Sequence, residues 1–178
     1  MNIWHDISPK RIKPDKFYAV IEIPKGDKNK YEIDKDTGLL KLDRVLFTSM
    51  HYPANYGFIP RTYADDRDPL DVLVLCSEVI QSMTLVECKP IGMLNMVDND
   101  SSDEKIIAVP VNDPNYNCYN DISELPKHHF DEIRHFFQVY KMLENDSQTN
   151  VTEFSGVEKA KETIKRAIEG YIRDFQMA

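Results

Sequence analysis

The chain has 178 residues, of which 42% are apolar and 29% charged, and its formal net charge is −8 from 22 Lys and Arg against 30 Asp and Glu. Such a length suits one domain spanning 1–178, able to bury about 70% of the surface its unfolded form exposes. The acidic balance argues against a nucleic-acid scaffold, which needs a basic face for phosphates, and no stretch approaches the ~20 apolar residues of a membrane span.

The N-terminus lacks the apolar core of a signal peptide, so a cytoplasmic protein is expected. Cys76, Cys88 and Cys118 form no CxxC pair and read as reduced thiols rather than zinc ligands. Residues 17–24, FYAVIEIP, read as a strand that stops at Pro24. Alternation puts Ala19, Ile21 and Ile23 on one face and Tyr18, Val20 and Glu22 on the other. Glu22 is then either a half-exposed carboxylate or part of a polar wall. Residues 30–47 read as a hairpin turning near Lys35–Gly38. Its first arm aims Lys30 and Glu32 at the same side. In its second arm Arg44 shares a parity with Leu40, Leu42 and Leu46. A guanidinium on an apolar face requires an anion, either a protein carboxylate or a ligand.

Residues 48–64 form a loop-rich crossing that holds Tyr52, Tyr56 and Tyr63. Strands are expected at about 70–77, 84–97 and 105–111, the last two separated by the polar loop DNDSSDEK. A helix is expected over 127–144, with Phe130, Ile133, Phe137 and Tyr140 at helical spacing. A second begins at Ser155, where Glu158 completes a capping-box pattern. Its stripe is Val157, Ala160, Ile164, Ile168, Tyr171 and Phe175. Strands first and helices last indicate an α+β class, a small closed β-barrel with two main C-terminal helices packed outside.

Two acidic clusters carry the chemistry. Asp66, Asp68 and Asp71 fall within six residues and run straight into the apolar Val72–Leu75. Carboxylates that close repel one another, and an apolar strand beside them limits their access to water. Asp98, Asp100 and Asp103 form the second cluster. All-oxygen donor sets select hard cations such as Mg²⁺, Mn²⁺ or Ca²⁺. A calcium loop starting at Asp98 is excluded, because its sixth position is Asp103 rather than Gly and its twelfth Val109 rather than Glu. A solvated acidic loop remains the competing reading for Asp98–Asp103. Lys30, Arg44, Lys105 and Lys141, with Tyr56 and Tyr140, add cations and phenols. Hard metals, cations and phenols together suit a compact polyanion, which means phosphate groups and metal-dependent phosphoryl transfer to water.

The segment from Asp66 to Val72, DRDPLDV, carries the D-x-D-P-x-D signature of the family I soluble inorganic pyrophosphatases. VIEIP at 20–24, KYEID at 30–34, DR at 43–44, YPANYG at 52–57, KIIAVP at 105–110 and HFFQVYK at 135–141 match that family in the same order. The chain thus resembles its shorter, prokaryotic-type members from about residue 17 to residue 144. The resemblance implies hydrolysis of pyrophosphate to two phosphates on a five-stranded OB-like barrel, with several Mg²⁺ ions or related divalent ions such as Mn²⁺. Asp66, Asp71 and Asp103 would hold metals around the nucleophilic water, with Asp71 bridging two. Asp68 would be the general base. Asp98 would bind a further metal with Asp103, and Glu32 one that arrives with substrate. Lys30, Arg44, Tyr56, Lys105, Tyr140 and Lys141 would hold the phosphoryl groups, and Glu22 and Tyr52 would support the wall. A homohexamer is the expected assembly. Where many members carry a second acidic residue after Asp98, this chain has Asn99, which implies weaker metal binding. No role is carried onto 145–151, and the five histidines match no catalytic position.

Overall fold

The computed structural model describes residues 1–144 and 149–176. Eight strands and two helices follow one another along the chain: β1 (Phe17–Ile23), β2 (Asn29–Ile33), β3 (Leu40–Val45), β4 (Asn55–Phe58), β5 (Asp71–Val74), β6 (Leu85–Asp98), β7 (Ser101–Pro110), α1 (Lys127–Val139), β8 (Thr149–Gly156) and α2 (Val157–Phe175). The larger sheet has the order β1-β4-β5-β7-β6-β8, and β1 also pairs with β6. Five strands therefore form a ring of pairings, with β8 added on the outer edge of β6 and the β2–β3 hairpin beside it. Among the described residues no helix is long and apolar enough to cross a membrane.

Strand parity sorts the core into two layers. Leu73 and Leu75 of the β5 run, Ile107 and Val109 of β7, and Leu94 and Met96 of β6 share a cluster with Ile133, Phe136 and Phe137 of α1. Val72, Val74, Ile106, Ala108 and Met93 point the other way and meet Ala160, Ile164 and Ala167 of α2. Both faces of β5 and β7 are covered, which is why their sequences read as unbroken apolar runs rather than alternating ones. The two run parallel, with Asp71 opposite Lys105. Gly57 lets β1 and β4 approach: a Cβ there would lie 1.8 Å from the Val20 carbonyl oxygen.

Several local expectations change. β4 lies inside the stretch expected to be loop, because its four residues NYGF find partners on both sides. The polar stretch after Asp98 is a tight hairpin turn. Asn99 and Asp100 have φ of 47° and 64°, the left-handed pair that matches the twist of two antiparallel strands. Asp103 and Glu104 consequently belong to β7 rather than to a loop. In the β2–β3 hairpin Lys30 faces Arg44 while Tyr31 faces Leu42, so Asp43 is bulged out and the alternation resets. Arg44 does not share an apolar face with Leu40 and Leu42, and Leu42 is half exposed.

Both helices also differ at their ends. α1 stops at Val139, and 140–144 continue as turns. Ser155 lies in β8 and caps nothing; α2 begins after Gly156 without a side-chain cap of its own. The Val157 amide instead donates to Asp121 Oδ2 at 2.9 Å, 36 residues upstream. On the α2 stripe Ala160, Ile164 and Tyr171 are buried, whereas Phe175 is exposed. The expectation for 145–151 lies in part outside the described residues; 149–151 open β8. All three cysteines are free.

Candidate active site

The face under α1 stops being apolar at the start of β5 and becomes charged. Asp71 keeps the parity of Leu73, Lys105 and Asp103 that of Ile107, and Asp98 that of Met96, so period-two geometry aims all four side chains at one spot. Tyr56 joins them from β4, opposite Leu73, and Tyr140 and Lys141 enter from the end of α1. Together they line a cavity of about 620 Å³ with Glu22, Lys30, Glu32, Asp66 and Asp68. Twelve of the fourteen residues to which the family resemblance gives a role converge there, and Asp100 of the second acidic cluster lies outside it. Arg44 and Tyr52 do not line it.

Lys105 is the centre of its inner wall. Its ammonium, buried with the residue only 3% exposed, donates to Asp71 Oδ2 at 2.8 Å, to both oxygens of Asp103 at 3.0 Å and to the Tyr56 hydroxyl at 3.0 Å. Tyr56 in turn donates to Asp71 Oδ2 at 2.6 Å. Burial alone would lower the pKa of Lys105, but the Asp71 carboxylate, the Tyr56 phenol and Asp103 outweigh it and hold the ammonium charged. Burial pushes the Tyr52, Tyr56 and Tyr140 phenols upward, so all three stay neutral hydrogen-bond donors.

The acidic residues crowd their charges together. Burial, partly offset by the Asp68 amide 3.0 Å from Oδ1, pushes Asp66 up to about 6, and neighbouring Asp71, Asp68 and Asp103 add to the rise. Asp103 is raised for the same first reason. Asp98 Oδ2 takes the Lys141 ammonium at 2.5 Å, while its Oδ1 is buried with no hydrogen-bond partner. The Asp68 side chain pairs with the Lys35 ammonium, and its Oδ1 is shielded from solvent with no hydrogen-bond partner. Among the described residues no three acidic, histidine or cysteine side chains enclose a point where an ion would sit as placed. The Lys105 ammonium stands between Asp71 and Asp103 as their counter-charge. An orphaned carboxylate oxygen, raised acids and an exclusively oxygen donor set fit hard divalent cations.

The outer wall is the hairpin. Lys30 Nζ donates to Asp43 Oδ2 at 2.9 Å and lies 3.5 Å from Glu32, and Glu32 also pairs with Lys41 at 3.0 Å. Arg44 Nε donates to Glu144 at 2.7 Å, and its guanidinium also reaches Asp43. Its anion here is therefore a protein carboxylate. Tyr52 is buried behind Tyr56, with its ring 4.7 Å from Phe136 and 5.5 Å from Tyr56. Asp43, Glu144 and Lys35 received no role from the sequence. Asp43 stood in plain sight beside Arg44, but only the bulge turns it toward Lys30. Nothing local in the sequence signals Glu144, 100 residues from Arg44.

Glu22 is buried on β1, and its Oε1 accepts the Ile33 amide at 2.6 Å, tying the hairpin to the ring. Burial, with the Asp71 charge second, pushes its pKa up to about 8. A carboxyl that holds its proton more tightly when folded stabilises fully below its unfolded pKa near 4.3 and loses that stability as pH rises toward 8. Glu22→Gln is therefore expected to flatten metal-free stability between pH 5 and pH 9 and to be the more stable form at pH 9, by on the order of a few kcal/mol. Thermal unfolding in chelator at both pH values reads this directly; parallel pH profiles for the two proteins would refute it.

A ring of strands whose one end carries partly exposed carboxylates among ammonium and phenol groups defines a class, the enzymes that handle compact phosphate anions. The sequence model of the family described as inorganic pyrophosphatase matches residues 19–172. The chain belongs to the inorganic pyrophosphatase family and is a hydrolase of that family. It is 47% identical to soluble inorganic pyrophosphatase 2 of Chlamydomonas reinhardtii, over 94% of this chain and 87% of that one. It is 45% identical to the inorganic pyrophosphatase of Picrophilus torridus, over 96% of both. Among solved structures, the Thermus thermophilus inorganic pyrophosphatase superposes with a TM-score of 0.89 at 38% identity, covering 96% of this chain and 99% of that one.

Proposed function

We propose that this chain hydrolyses inorganic pyrophosphate to two orthophosphates with the help of several Mg²⁺ ions. The observation that supports it most is one cavity in which carboxylates are interleaved with ammonium and phenol groups, Lys105 and Tyr56 on Asp71 and Asp103, and Lys141 on Asp98. When bound, divalent ions supply Lewis acidity, bringing the pKa of an attacking water toward neutrality and offsetting substrate charge. Asp66, Asp71, Asp98, Asp103 and Glu32 are the ligands for them, and the orphaned Asp98 oxygen is available to one. Asp68 accepts the water's proton, because it lies on the open side of the acidic wall and is tied to no fold contact beyond the Lys35 ion pair. Lys30, Lys105, Lys141, Tyr56 and Tyr140, set among those carboxylates, bind phosphoryl oxygens. Arg44 joins them by exchanging Glu144 for substrate, while Glu22 and Tyr52 brace the wall.

The same reading covers the frame. The five-strand ring is an OB-like barrel, the chain is a single domain over 1–178, and it works in the cytoplasm as a homohexamer. Phosphate release from pyrophosphate is expected with Mg²⁺ and is expected to cease when the ion is chelated. Parallel assays with ATP and tripolyphosphate separate this reading from a broader metal-dependent phosphohydrolase. Equal rates on all three would favour the broader enzyme, and release that survives chelation would defeat the metal requirement.

A further inference from the structure

Thr62 is a fully buried polar residue to which nothing above assigns work. It is 0% exposed and stands where β4 and β5 part to form the loop that carries Asp66 and Asp68. Residues that face each other in a hydrogen-bonded antiparallel pair exchange two backbone bonds. Beyond the Phe58–Asp71 pair, the Ile59 amide donates to the Leu70 carbonyl at 2.9 Å, which is one of the two. The return bond runs through a side chain. The Leu70 amide donates to Thr62 Oγ1 at 2.8 Å, and Thr62 Oγ1 donates to the Ile59 carbonyl at 2.6 Å. A hydroxyl is thus spliced into the ladder.

The splice sets a distance. Two hydrogen bonds in series hold Leu70 farther from Ile59 on that side than one direct bond of ~2.9 Å would. Removing the hydroxyl leaves two outcomes for the buried Leu70 amide: it stays unpaired, or the ladder closes by one more bond. Closure would draw Leu70 toward β4, and with it the flanking Pro69 and Asp71. Thr62 is itself held from behind, since Trp4 Nε1 donates to its carbonyl at 3.0 Å. The far side of the loop is anchored by the Tyr63 amide on the Ala167 carbonyl at 2.9 Å and by the Ala64 amide on the Asp68 carbonyl at 2.8 Å. The joint between the β4 and β5 ends of this loop is the one that Thr62 fills.

We propose that Thr62 is a positioning residue of the pyrophosphatase site, its hydroxyl holding β4 and β5 at the separation that brings Asp66 and Asp71 together for divalent cations. The proposal rests on the metal-dependent reading given above. A purely structural threonine would contribute to stability alone. A positioning residue moves metal affinity and turnover by more than the fold loses, and serine, which keeps the hydroxyl, rescues it.

The test compares Thr62→Val and Thr62→Ser with the wild-type protein by metal-free thermal unfolding, by calorimetric titration with Mn²⁺ and by phosphate release from pyrophosphate with Mg²⁺. Thr62→Val is expected to bind Mn²⁺ about 10-fold more weakly and to turn over about 10²-fold more slowly. Thr62→Ser is expected to stay within about threefold of wild type in both. A Thr62→Val protein that melts lower but binds and turns over as wild type overturns the proposal, and so does a serine variant as impaired as the valine one. Should Thr62→Val not fold, Trp4→Phe takes its place: it removes the donor to the Thr62 carbonyl together with part of a ring packed on His5, Tyr171 and Phe175, so its Mn²⁺ binding is read beside its metal-free unfolding. Mn²⁺ binding weakened about threefold in that variant supports the proposal, and unchanged binding overturns it. Wild-type protein that releases no phosphate from pyrophosphate would defeat the assigned reaction instead, while the calorimetric contrast among Thr62 variants would stand apart from it.

Discussion

Asp68→Asn is expected to slow pyrophosphate turnover by about 10²–10⁴-fold, the usual worth of a positioned general base, and to leave stability within about 0.5 kcal/mol of wild type. The two halves of that expectation come from different observations. The Asp68 side chain is 48% exposed and Lys35, which covers its Oδ1, is equally exposed, so an amide in its place loses one surface ion pair and leaves no charge behind in the core. What holds the loop here is backbone: the Asp68 carbonyl accepts from Ala64 and its amide donates to Asp66, and asparagine keeps both. The amide cannot accept the water's proton, whereas its shape and its place on the acidic wall persist. Steady-state phosphate release, with unfolding midpoints measured alongside, decides the matter. Near-full turnover in the variant would remove Asp68 from the role of base.

Lys105→Met should do the reverse and damage the fold as well as the reaction. Methionine fills much of the lysine stem, so the change is chiefly the loss of a buried charge among Asp71, Asp103 and Tyr56. Breaking a buried ion pair by removing one partner costs about 3–5 kcal/mol, because the surviving charge is left uncompensated. Here two carboxylates lose their counter-charge, so the loss is expected in full only without metal. Divalent ions that bind those carboxylates should restore a large part of it. Turnover is expected to fall about 10²–10³-fold even with metal present, the scale for deleting one donor aimed at developing charge. Unfolding in chelator and in excess Mg²⁺ tests the first point. If Mg²⁺ recovers no more stability in the variant than in wild type, Asp71 and Asp103 do not ligate the ion.

Much of the site was legible in the chain because its residues sit on short stretches whose geometry is local. Asp66, Asp68 and Asp71 are neighbours within six residues, and Asp103 and Lys105 share a strand parity, whereas Asp98 joins their face only through the turn that pairs Met96 with Asp103. Errors arose where a single residue changes the count. The bulge at Asp43 reverses the parity on which Arg44 was judged, and the left-handed pair Asn99–Asp100 turns an apparent acidic loop into a strand hairpin. The Ser155–Glu158 pattern failed for another reason. Its spacing is right for a cap, but Ser155 is claimed by β8, where it pairs with Met93, and Asp121 supplies the cap from elsewhere in the fold.

By itself, then, the sequence determined the acidic clusters, the apolar runs that anchor them, the α+β order of elements and the family to which the chain belongs. These follow from spacing over a few residues, which covalent geometry converts directly into direction. Only the tertiary structure decided the partners: Lys105 between Asp71 and Asp103, Glu144 on Arg44, Lys35 on Asp68 and the Thr62 hydroxyl between Ile59 and Leu70. Each depends on strand register, on a bulge or on a helix docking from far along the chain, and buried charge selects whichever opposite charge that docking brings within reach.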